Sequence, residues 1–184
     1  VCIVRQPKEQ FLLRRQGVSS TMLSAKDLST LHATDLRELS SYVPNFVMSK
    51  YGSRYTSAMY VRGIGSRINS PAVGIYLDGM PLMSKSSFNT FFHDISRVDI
   101  LRGPQGTLYG LNTEGGLVRI YSRNPISEPG FEWGRTIATH GLISTNINLR
   151  RRLSDKAGFS IAGFFINDQG YLRNHLLDTK ADKS

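Results

Sequence analysis

The pattern of hydrophobic and polar positions changes after Asn124-Pro125. Before this point, short apolar runs alternate with loops rich in glycine, serine and charged residues, which indicates a compact unit of short strands and helices. After it, apolar and polar residues alternate one by one over longer stretches, which is typical of antiparallel strands with two unlike faces. The pattern therefore predicts two structural units, over residues 1–125 and 126–184.

The first unit is predicted to contain both helices and strands. Ser24 and Asp27 form a capping-box pattern that predicts the start of a helix, and Thr34 is the predicted N-cap of a second helix over 35–42. Strands are predicted at 18–23, 58–62 and 73–77, in the run with Val98 and Ile100, and in the run with Val118 and Ile120. Asp78-Gly79 is a predicted tight turn. Helices that come early and strands that come later predict an α+β fold.

A segment rich in glycine separates the last two of these strands. It contains Gly103, Pro104, Gly106, Gly110, Gly115 and Gly116. Glycine permits positive φ angles and close backbone approach, so a tightly folded connection is predicted. A phosphate-binding loop is excluded, because Gly116 and Leu117 stand where the P-loop spacing from Gly110 requires Lys and Ser or Thr.

The second unit is predicted to begin with three strands. The apolar residues of its first stretch fall on odd positions: Phe131, Trp133, Ile137, Ile143, Ile147 and Leu149. A break near His140-Gly141 divides this stretch into two strands, and 159–166 forms the third strand after a turn at 153–156. Soluble antiparallel sheets and membrane β-barrels both alternate in this way, and from alternation alone the soluble sheet is favoured.

Three motifs in the first unit resemble those of a known family. They are Tyr60-Val-Arg-Gly-Ile-Gly65, Tyr76-Leu-Asp-Gly-Met-Pro81 and the segment from Arg97 to Gly116. The chain resembles the plug domains of TonB-dependent outer-membrane receptors, which carry Y-[IV]-R-G, Y-x-D-G-x-P and R-x-E-x-L-R-G-P-x-G-x-L-Y-G-x-x-x-x-G-G in this order. Asp99 stands where glutamate is more usual, which keeps the charge. The resemblance covers most of residues 1–125 and continues more loosely towards residue 175.

This resemblance implies a fold and a function. The implied fold is α+β: a small globular plug domain with a mixed sheet and short helices over 1–125, followed over 126–184 by the first antiparallel strands of an incomplete transmembrane β-barrel. Because single-chain barrels need at least about eight strands, we expect a fragment, a truncated gene product or one piece of a longer chain. The implied function is occlusion of the pore and ligand binding in an active transporter in the outer membrane of a Gram-negative bacterium.

The resemblance also implies binding residues, because the outward loops of such plugs contact the ligand. By position, the predicted ligand-binding residues are Arg54, Tyr55, Arg67, Asn69, Lys85, Ser86 and Phe88. Cationic side chains beside aromatic ones suit an anionic, partly aromatic ligand, so a ferric siderophore or similar iron chelate is the expected ligand.

Another charged set consists of Arg62, Arg97, Asp99, Arg102 and Glu114. The resemblance implies that these side chains meet charged residues of the surrounding barrel. The alternative interpretation is an ion-pair lattice inside the plug.

Partners follow from the same resemblance. A short Ton box near the N-terminus of these receptors pairs with the energy transducer TonB by strand addition. Val1, Cys2, Ile3 and Val4 are the predicted TonB contact, and the alternative is that they form the first plug strand. Outer-membrane lipid is the expected partner of the barrel strands.

Composition and residue spacing argue against nucleic-acid binding, metal binding and enzymatic activity. The net charge of +9 suggests nucleic acid, but the basic residues are scattered and no nucleic-acid motif is present, so no such partner is predicted. The single Cys2 excludes an intramolecular disulfide and a cysteine-based zinc cluster. The histidines lack metal-ligand spacing and no nucleophile elbow occurs, so no metal, no cofactor and no enzymatic activity are predicted.

Two other functions remain open at this stage. One is a soluble ligand-binding or signalling module derived from a plug, and the other is a non-functional truncated gene product. Exposure of Trp133, Ile147 and Phe159 to lipid or to water distinguishes the transporter from the soluble module.

Overall fold

The computed structural model describes residues 19–50, 57–67, 70–88, 91–167, 173–174 and 179–180. The chain forms two compact units, Val1–Ser122 and Arg123–Ser184. The boundary expected after residue 125 falls just inside the second unit. The interpretations of residues 1–16 lie outside the described residues.

The elements follow in chain order. The first unit contains β1 (Ser19–Ser24), α1 (Ala25–Thr30), a 3₁₀ turn (Glu38–Ser41), β2 (Phe46–Lys50), β3 (Ser57–Val61), β4 (Ile64–Gly65), β5 (Val73–Leu77), β6 (Met80–Leu82), a 3₁₀ turn (Lys85–Phe88), β7 (Ile95–Arg102), α2 (Gly106–Tyr109) and β8 (Gly116–Ser122). The second unit contains β9 (Gly130–Ala138), a 3₁₀ turn (Thr139–Gly141), β10 (Leu142–Arg152), β11 (Gly158–Asn167), β12 (Arg173–Asn174) and β13 (Thr179–Lys180).

The first unit is built on a mixed five-stranded sheet with the order β1-β7-β8-β5-β6. Strands β5 and β8 run parallel, and the other neighbours are antiparallel. A smaller antiparallel sheet contains β2, β3 and β4. The expected combination of short helices and a mixed sheet is confirmed.

The two central strands, β7 and β8, are buried on both faces. Val98, Ile100, Val118 and Ile120 lie on one face and belong to the main hydrophobic core, together with side chains of α1, β2 and β3. Leu101 and Leu117 belong instead to a second, smaller cluster with Tyr109. Strands covered on both sides lose the simple alternation of apolar and polar residues. Any polar side chain on the second face therefore needs a partner inside the protein.

The two predicted helices have different outcomes. Helix α1 begins with the predicted capping box: the Ser24 backbone N–H donates to the Asp27 carboxylate at 2.8 Å, and the Asp27 N–H donates to the Ser24 hydroxyl at 3.3 Å. The Ser24 hydroxyl also donates to the Asp27 carboxylate at 2.6 Å, and this bond, together with the one from the Ser24 N–H, holds the pKa of Asp27 below its ordinary value.

The helix predicted over 35–42 is wrong except for its last turn. Asp35 pairs with Phe91 in an isolated β-bridge, so its backbone is not helical. Its carboxylate accepts hydrogen bonds from the N–H groups of Arg37 at 2.8 Å and Glu38 at 3.1 Å. Asp35 therefore takes the role predicted for Thr34, and only Glu38–Ser41 forms a 3₁₀ turn.

The second unit contains a three-stranded antiparallel sheet in the order β11-β10-β9. Its strands match the predicted break at His140-Gly141 and the predicted third strand. The register places Trp133 opposite Ile147, and Phe131 opposite Leu149, so one face is apolar across β9 and β10. Ile161 of β11 continues this face opposite Leu149. The apolar face is exposed: Phe131 is 65%, Trp133 63% and Ile161 62% accessible.

Among the described residues, no helix is long and apolar enough to span a membrane.

Candidate functional site

The glycine-rich segment forms a closed loop between β7 and β8. The Gly103 N–H donates to the Gly115 carbonyl at 3.0 Å, and the Gln105 N–H donates to the Thr113 carbonyl at 2.9 Å. Thr113 is fully buried, and its hydroxyl donates to the Gly110 carbonyl at 2.7 Å. These bonds join the two ends of the segment, as expected of a compact structural bend, and the Gly115 N–H donates outwards to the Ala72 carbonyl at 2.9 Å.

Close backbone approach explains two of its glycines. A Cβ on Gly116 would lie 2.5 Å from the Leu101 carbonyl oxygen, and one on Gly115 would lie 2.9 Å from the Ile64 carbonyl oxygen. Both neighbours are backbone atoms, which side-chain rotation cannot move. A larger residue would therefore push β8 away from β7 and from the β3–β4 hairpin.

The other two motifs form tight hairpin turns. Arg62-Gly63 joins β3 to β4 with φ angles of 52° and 81°, and Asp78-Gly79 joins β5 to β6 with φ angles of 49° and 84°. Two central residues with positive φ are what a type I′ hairpin requires. The Asp78 carboxylate also accepts hydrogen bonds from the Ser122 N–H at 2.8 Å and hydroxyl at 2.7 Å, which attaches this turn to the end of β8.

A buried charge cluster lies on the second face of the sheet, and we call it the Asp99 cluster. It comprises Arg97, Asp99, Tyr109 and Arg119. Asp99 is directly opposite Arg119 in the pairing of β7 with β8, and their side chains form an ion pair at 2.9 Å. Arg97 forms a second ion pair with Asp99 at 3.1 Å. Arg119 also donates to the Tyr109 hydroxyl at 2.9 Å, so the cluster connects the sheet to helix α2 of the glycine-rich segment.

Burial controls the electrostatics of the Asp99 cluster. Burial raises the pKa of the Asp99 carboxyl, while the guanidiniums of Arg97 and Arg119 act in the opposite direction. Burial also opposes the charge on Arg119, but Tyr121, Tyr109 and Asp99 outweigh it and raise the pKa of Arg119. The Asp99 and Arg119 side chains are 0% and 6% exposed, whereas that of Arg97 is 42% exposed. The Asp99–Arg119 pair is thus the internal part of the cluster.

Sequence reasoning missed Arg119. The predicted charged set contained Arg97 and Asp99, which the structure joins in one ion pair. Arg119 stands between Val118 and Ile120, and this local pattern does not reveal which residue pairs with it. The strand register would have identified it, because it faces Asp99 across the sheet.

The remaining members of the predicted charged set lie elsewhere. Arg102 donates to the Pro44 carbonyl at 3.0 Å, and an Arg62 guanidinium nitrogen lies 3.9 Å from the position of a Cβ on Gly103. Both arginines therefore lie beside the start of the glycine-rich segment, while Glu114 is exposed near its end. Within the described parts of the chain, Arg62, Arg102 and Glu114 form no ion pair. Their contact with a barrel wall stays a prediction.

The structure joins two of the predicted ligand-binding loops. The Lys85 ammonium donates to the Ser66 carbonyl at 2.8 Å, which places Lys85 beside the loop of Arg67. Arg67 is exposed. Arg54, Tyr55, Asn69 and the side chain of Ser86 lie outside the described residues.

Phe88 does not fit its predicted ligand contact. Its side chain is 1% exposed and belongs to the main hydrophobic core. The 3₁₀ turn that begins at Lys85 has one inward side, and Phe88 occupies it.

These features together define a plug-like α+β domain followed by antiparallel strands with an exposed apolar face. Residues 13–117 match the family model described as the TonB-dependent Receptor Plug Domain. The chain therefore belongs to the TonB-dependent receptor plug family. Receptors of this family lie in the outer membrane of Gram-negative bacteria, which is also the location of this chain.

Individual relatives agree with this assignment. The chain is 37% identical to the pesticin receptor of Yersinia pestis over 115 residues, which are 61% of this chain and 17% of that protein. It is 24% identical to the vitamin B12 transporter BtuB of Vibrio vulnificus over 158 residues, which are 83% of this chain and 25% of that protein.

A solved structure gives a similar result. The ferric yersiniabactin uptake receptor FyuA from Yersinia pestis matches with a TM-score of 0.81 and 29% identity, over 89% of this chain and 26% of that chain. These relatives are receptors and transporters, and this chain spans about a quarter or less of their length.

Proposed function

We propose that this chain forms the plug and the first barrel strands of a TonB-dependent active transporter, with the plug in 1–125 and the barrel strands in 126–184. The plug occludes the pore and binds an imported iron chelate, and it has no enzymatic activity. The observation that carries this proposal is the exposed apolar face on β9–β11, directly after a complete set of plug motifs. A plug domain occludes a pore and therefore requires a barrel around it. Strands with an exposed apolar face, such as β9–β11, are suited to the wall of a barrel that faces lipid.

The same face argues against a soluble module. Phe131, Trp133 and Ile137 are each more than 60% exposed and lie on one strand. A soluble protein rarely exposes a contiguous apolar patch of this kind unless something covers it. We propose that outer-membrane lipid covers it.

Charge and position support an anionic iron chelate as the ligand. Arg67 is exposed, and Lys85 lies beside its loop through the bond to Ser66. Charge-assisted hydrogen bonds from such cations are stronger and shorter than neutral ones. The similarity to a ferric yersiniabactin receptor points to the same ligand chemistry, whereas the similarity to a vitamin B12 transporter is weaker in identity.

TonB is the proposed energy-coupling partner, through Val1, Cys2, Ile3 and Val4. Arg62, Arg102 and Glu114 are the proposed contacts with the barrel wall, since they lie outside the Asp99 cluster. Arg97 and Asp99 have a different proposed role as part of an internal ion-pair lattice. Displacement of the plug by TonB would then break the contacts between plug and barrel wall before the ion pairs inside the plug.

A ligand titration of the intact receptor tests the proposed function. We expect ferric yersiniabactin to bind, and we expect Arg67→Gln to weaken binding by about tenfold, because a charge-assisted hydrogen bond is lost. Lys26→Gln is the matched control: Lys26 is exposed on α1, beside the opposite edge of the five-stranded sheet, and its replacement should leave the affinity unchanged. Binding of cobalamin or neutral glycans alone would contradict the iron-chelate proposal.

A further inference from the structure

The segment that connects the plug to β9 has an ordered structure of its own. We call residues 123–129 the connecting segment. The Glu128 N–H donates to the Asn124 carbonyl at 2.9 Å, and the Ile126 N–H donates to the Asn124 side-chain oxygen at 2.9 Å. The segment is therefore folded into a turn rather than extended between two units.

Arg150 of β10 holds one side of this turn. Its Nε donates to the Glu128 carbonyl at 2.9 Å, and its Nη2 forms an ion pair with Glu132 at 2.8 Å. Glu132 also pairs with Arg123, the first residue of the connecting segment. Arg150 is only 4% exposed, and its guanidinium lies beside Gly130, where a Cβ would be in ordinary van der Waals contact with Nη2 at 3.5 Å.

The other side of the turn packs against Gly158 of β11. A Cβ on Gly158 would lie 3.1 Å from Ile126 Cγ1 and 3.3 Å from Pro125 Cβ. Pro125 and Ile126 therefore pack directly on β11. The connecting segment is fixed at separate points on three strands of the second unit: Glu132 in β9, Arg150 in β10 and Gly158 in β11.

We infer that the connecting segment is a fixed anchor on the barrel strands, and that it stays docked while the plug rearranges during transport. Arg150 is its positioning residue. Detaching the segment would take the Glu128 carbonyl away from the buried Arg150 guanidinium and would break the ion pair of Arg123 with Glu132, which is unfavourable. The movement driven by TonB would then be confined to residues before Arg123, and the plug would never leave the wall at its C-terminal end. This inference rests on the proposed transport function.

A disulfide lock tests whether the anchor stays docked. Ile126→Cys and Gly158→Cys are combined in the intact receptor, and the two single variants, each oxidised in parallel, control for cross-links to any other cysteine. We expect the pair to oxidise and the oxidised receptor to take up radioiron-labelled ferric yersiniabactin within about twofold of the rate of the reduced receptor. Uptake that disappears on oxidation and returns with a reductant would overturn the inference, and so would failure of the two cysteines to cross-link.

Amide hydrogen exchange tests the anchor without any ligand. We expect Arg150→Met to accelerate exchange at the Glu128 amide by at least about tenfold, and Arg150→Lys to restore part of the protection because it keeps the charge near Glu132. Arg152→Met is the matched control, since Arg152 pairs with Asp155 in the exposed β10–β11 turn and should leave Glu128 unchanged. Unchanged exchange in Arg150→Met would overturn the anchor. A receptor that takes up no chelate in either redox state would instead refute the proposed ligand, while the exchange result would still decide on the anchor.

Discussion

At the scale of single residues, burial decides what each charge of the Asp99 cluster does. Arg97 and Arg119 lie at similar distances from Asp99, 3.1 Å and 2.9 Å, but their side chains are 42% and 6% exposed. Water screens the first ion pair and not the second, so the two pairs differ in energy although they resemble each other in geometry. The loss of stability on replacing either arginine should therefore depend on how exposed its side chain is, and not on its distance from Asp99.

Replacing each arginine by methionine tests this difference. We expect Arg119→Met to lower the free energy of unfolding by about 3–5 kcal/mol, because the buried Asp99 then keeps only the partly exposed Arg97 as an ion-pair partner. Arg97→Met, the matched control, should cost less than about 1 kcal/mol. Urea unfolding of the chain measures both. Adding Asp99→Asn to Arg119→Met should recover part of the loss, and equal effects of the two single variants would contradict the assignment.

His93 makes the free energy of unfolding depend on pH. Burial lowers its pKa below the ordinary value of 6.5, so the folded chain resists protonation that the unfolded chain accepts. The stability contributed by neutral His93 is therefore complete above pH 6.5 and is lost as the pH falls towards the lower folded pKa. We expect His93→Gln to flatten the decline in unfolding free energy below pH 6.5, measured by urea unfolding at several pH values. An unchanged slope would show that His93 does not titrate differently in the folded state.

At the scale of elements, the glycines of the closed loop differ in what they tolerate. We expect Gly116→Ala to cost about 1–3 kcal/mol, because the new Cβ would meet the Leu101 carbonyl at 2.5 Å and β7 and β8 would have to separate. Gly106→Ala is the control: it lies in α2, with open space around its Cβ position, and should be neutral or stabilising by up to about 1 kcal/mol. Thermal unfolding of both variants measures the contrast, and equal losses would contradict the close approach.

Elements determined by neighbouring residues could be predicted, while those determined by distant contacts could not. The capping box of α1 is local and was correct. The helix over 35–42 failed because Asp35 pairs with Phe91, which is distant in sequence. Arg119 was missed for the same reason: its partner Asp99 is identified only by the strand register. Phe88 was assigned to a ligand surface because loop position does not reveal which side of a 3₁₀ turn is inward.

At the scale of the whole molecule, the two units distribute apolar and polar side chains between interior and surface in opposite ways. In the first unit, the apolar residues of the central strands are buried on both faces. In the second, Trp133, Ile147 and Ile161 are exposed on one face, while Asn148 and Arg150 of the other face are buried. Such an inverted distribution is suited to strands with lipid on one side and a polar interior on the other. The alternation of apolar and polar residues predicted the strands, but it did not predict which face is exposed. Only the motifs of the first unit indicated that the apolar face meets lipid and not water.

Trp133 allows this inversion to be tested directly, because the fluorescence of its indole reports whether lipid or water surrounds the side chain. In the intact receptor reconstituted with brominated phospholipids, we expect a quenched emission component that disappears in Trp133→Phe, since the side chain is 63% exposed on the apolar face. Moving the tryptophan to the polar face with Ser160→Trp, in the Trp133→Phe background, should add little lipid quenching to that of Trp133→Phe alone, because Ser160 lies opposite Arg150. Quenching of Trp133 by aqueous iodide without quenching by lipid would show that this face meets water, and the chain would then not be part of a barrel wall.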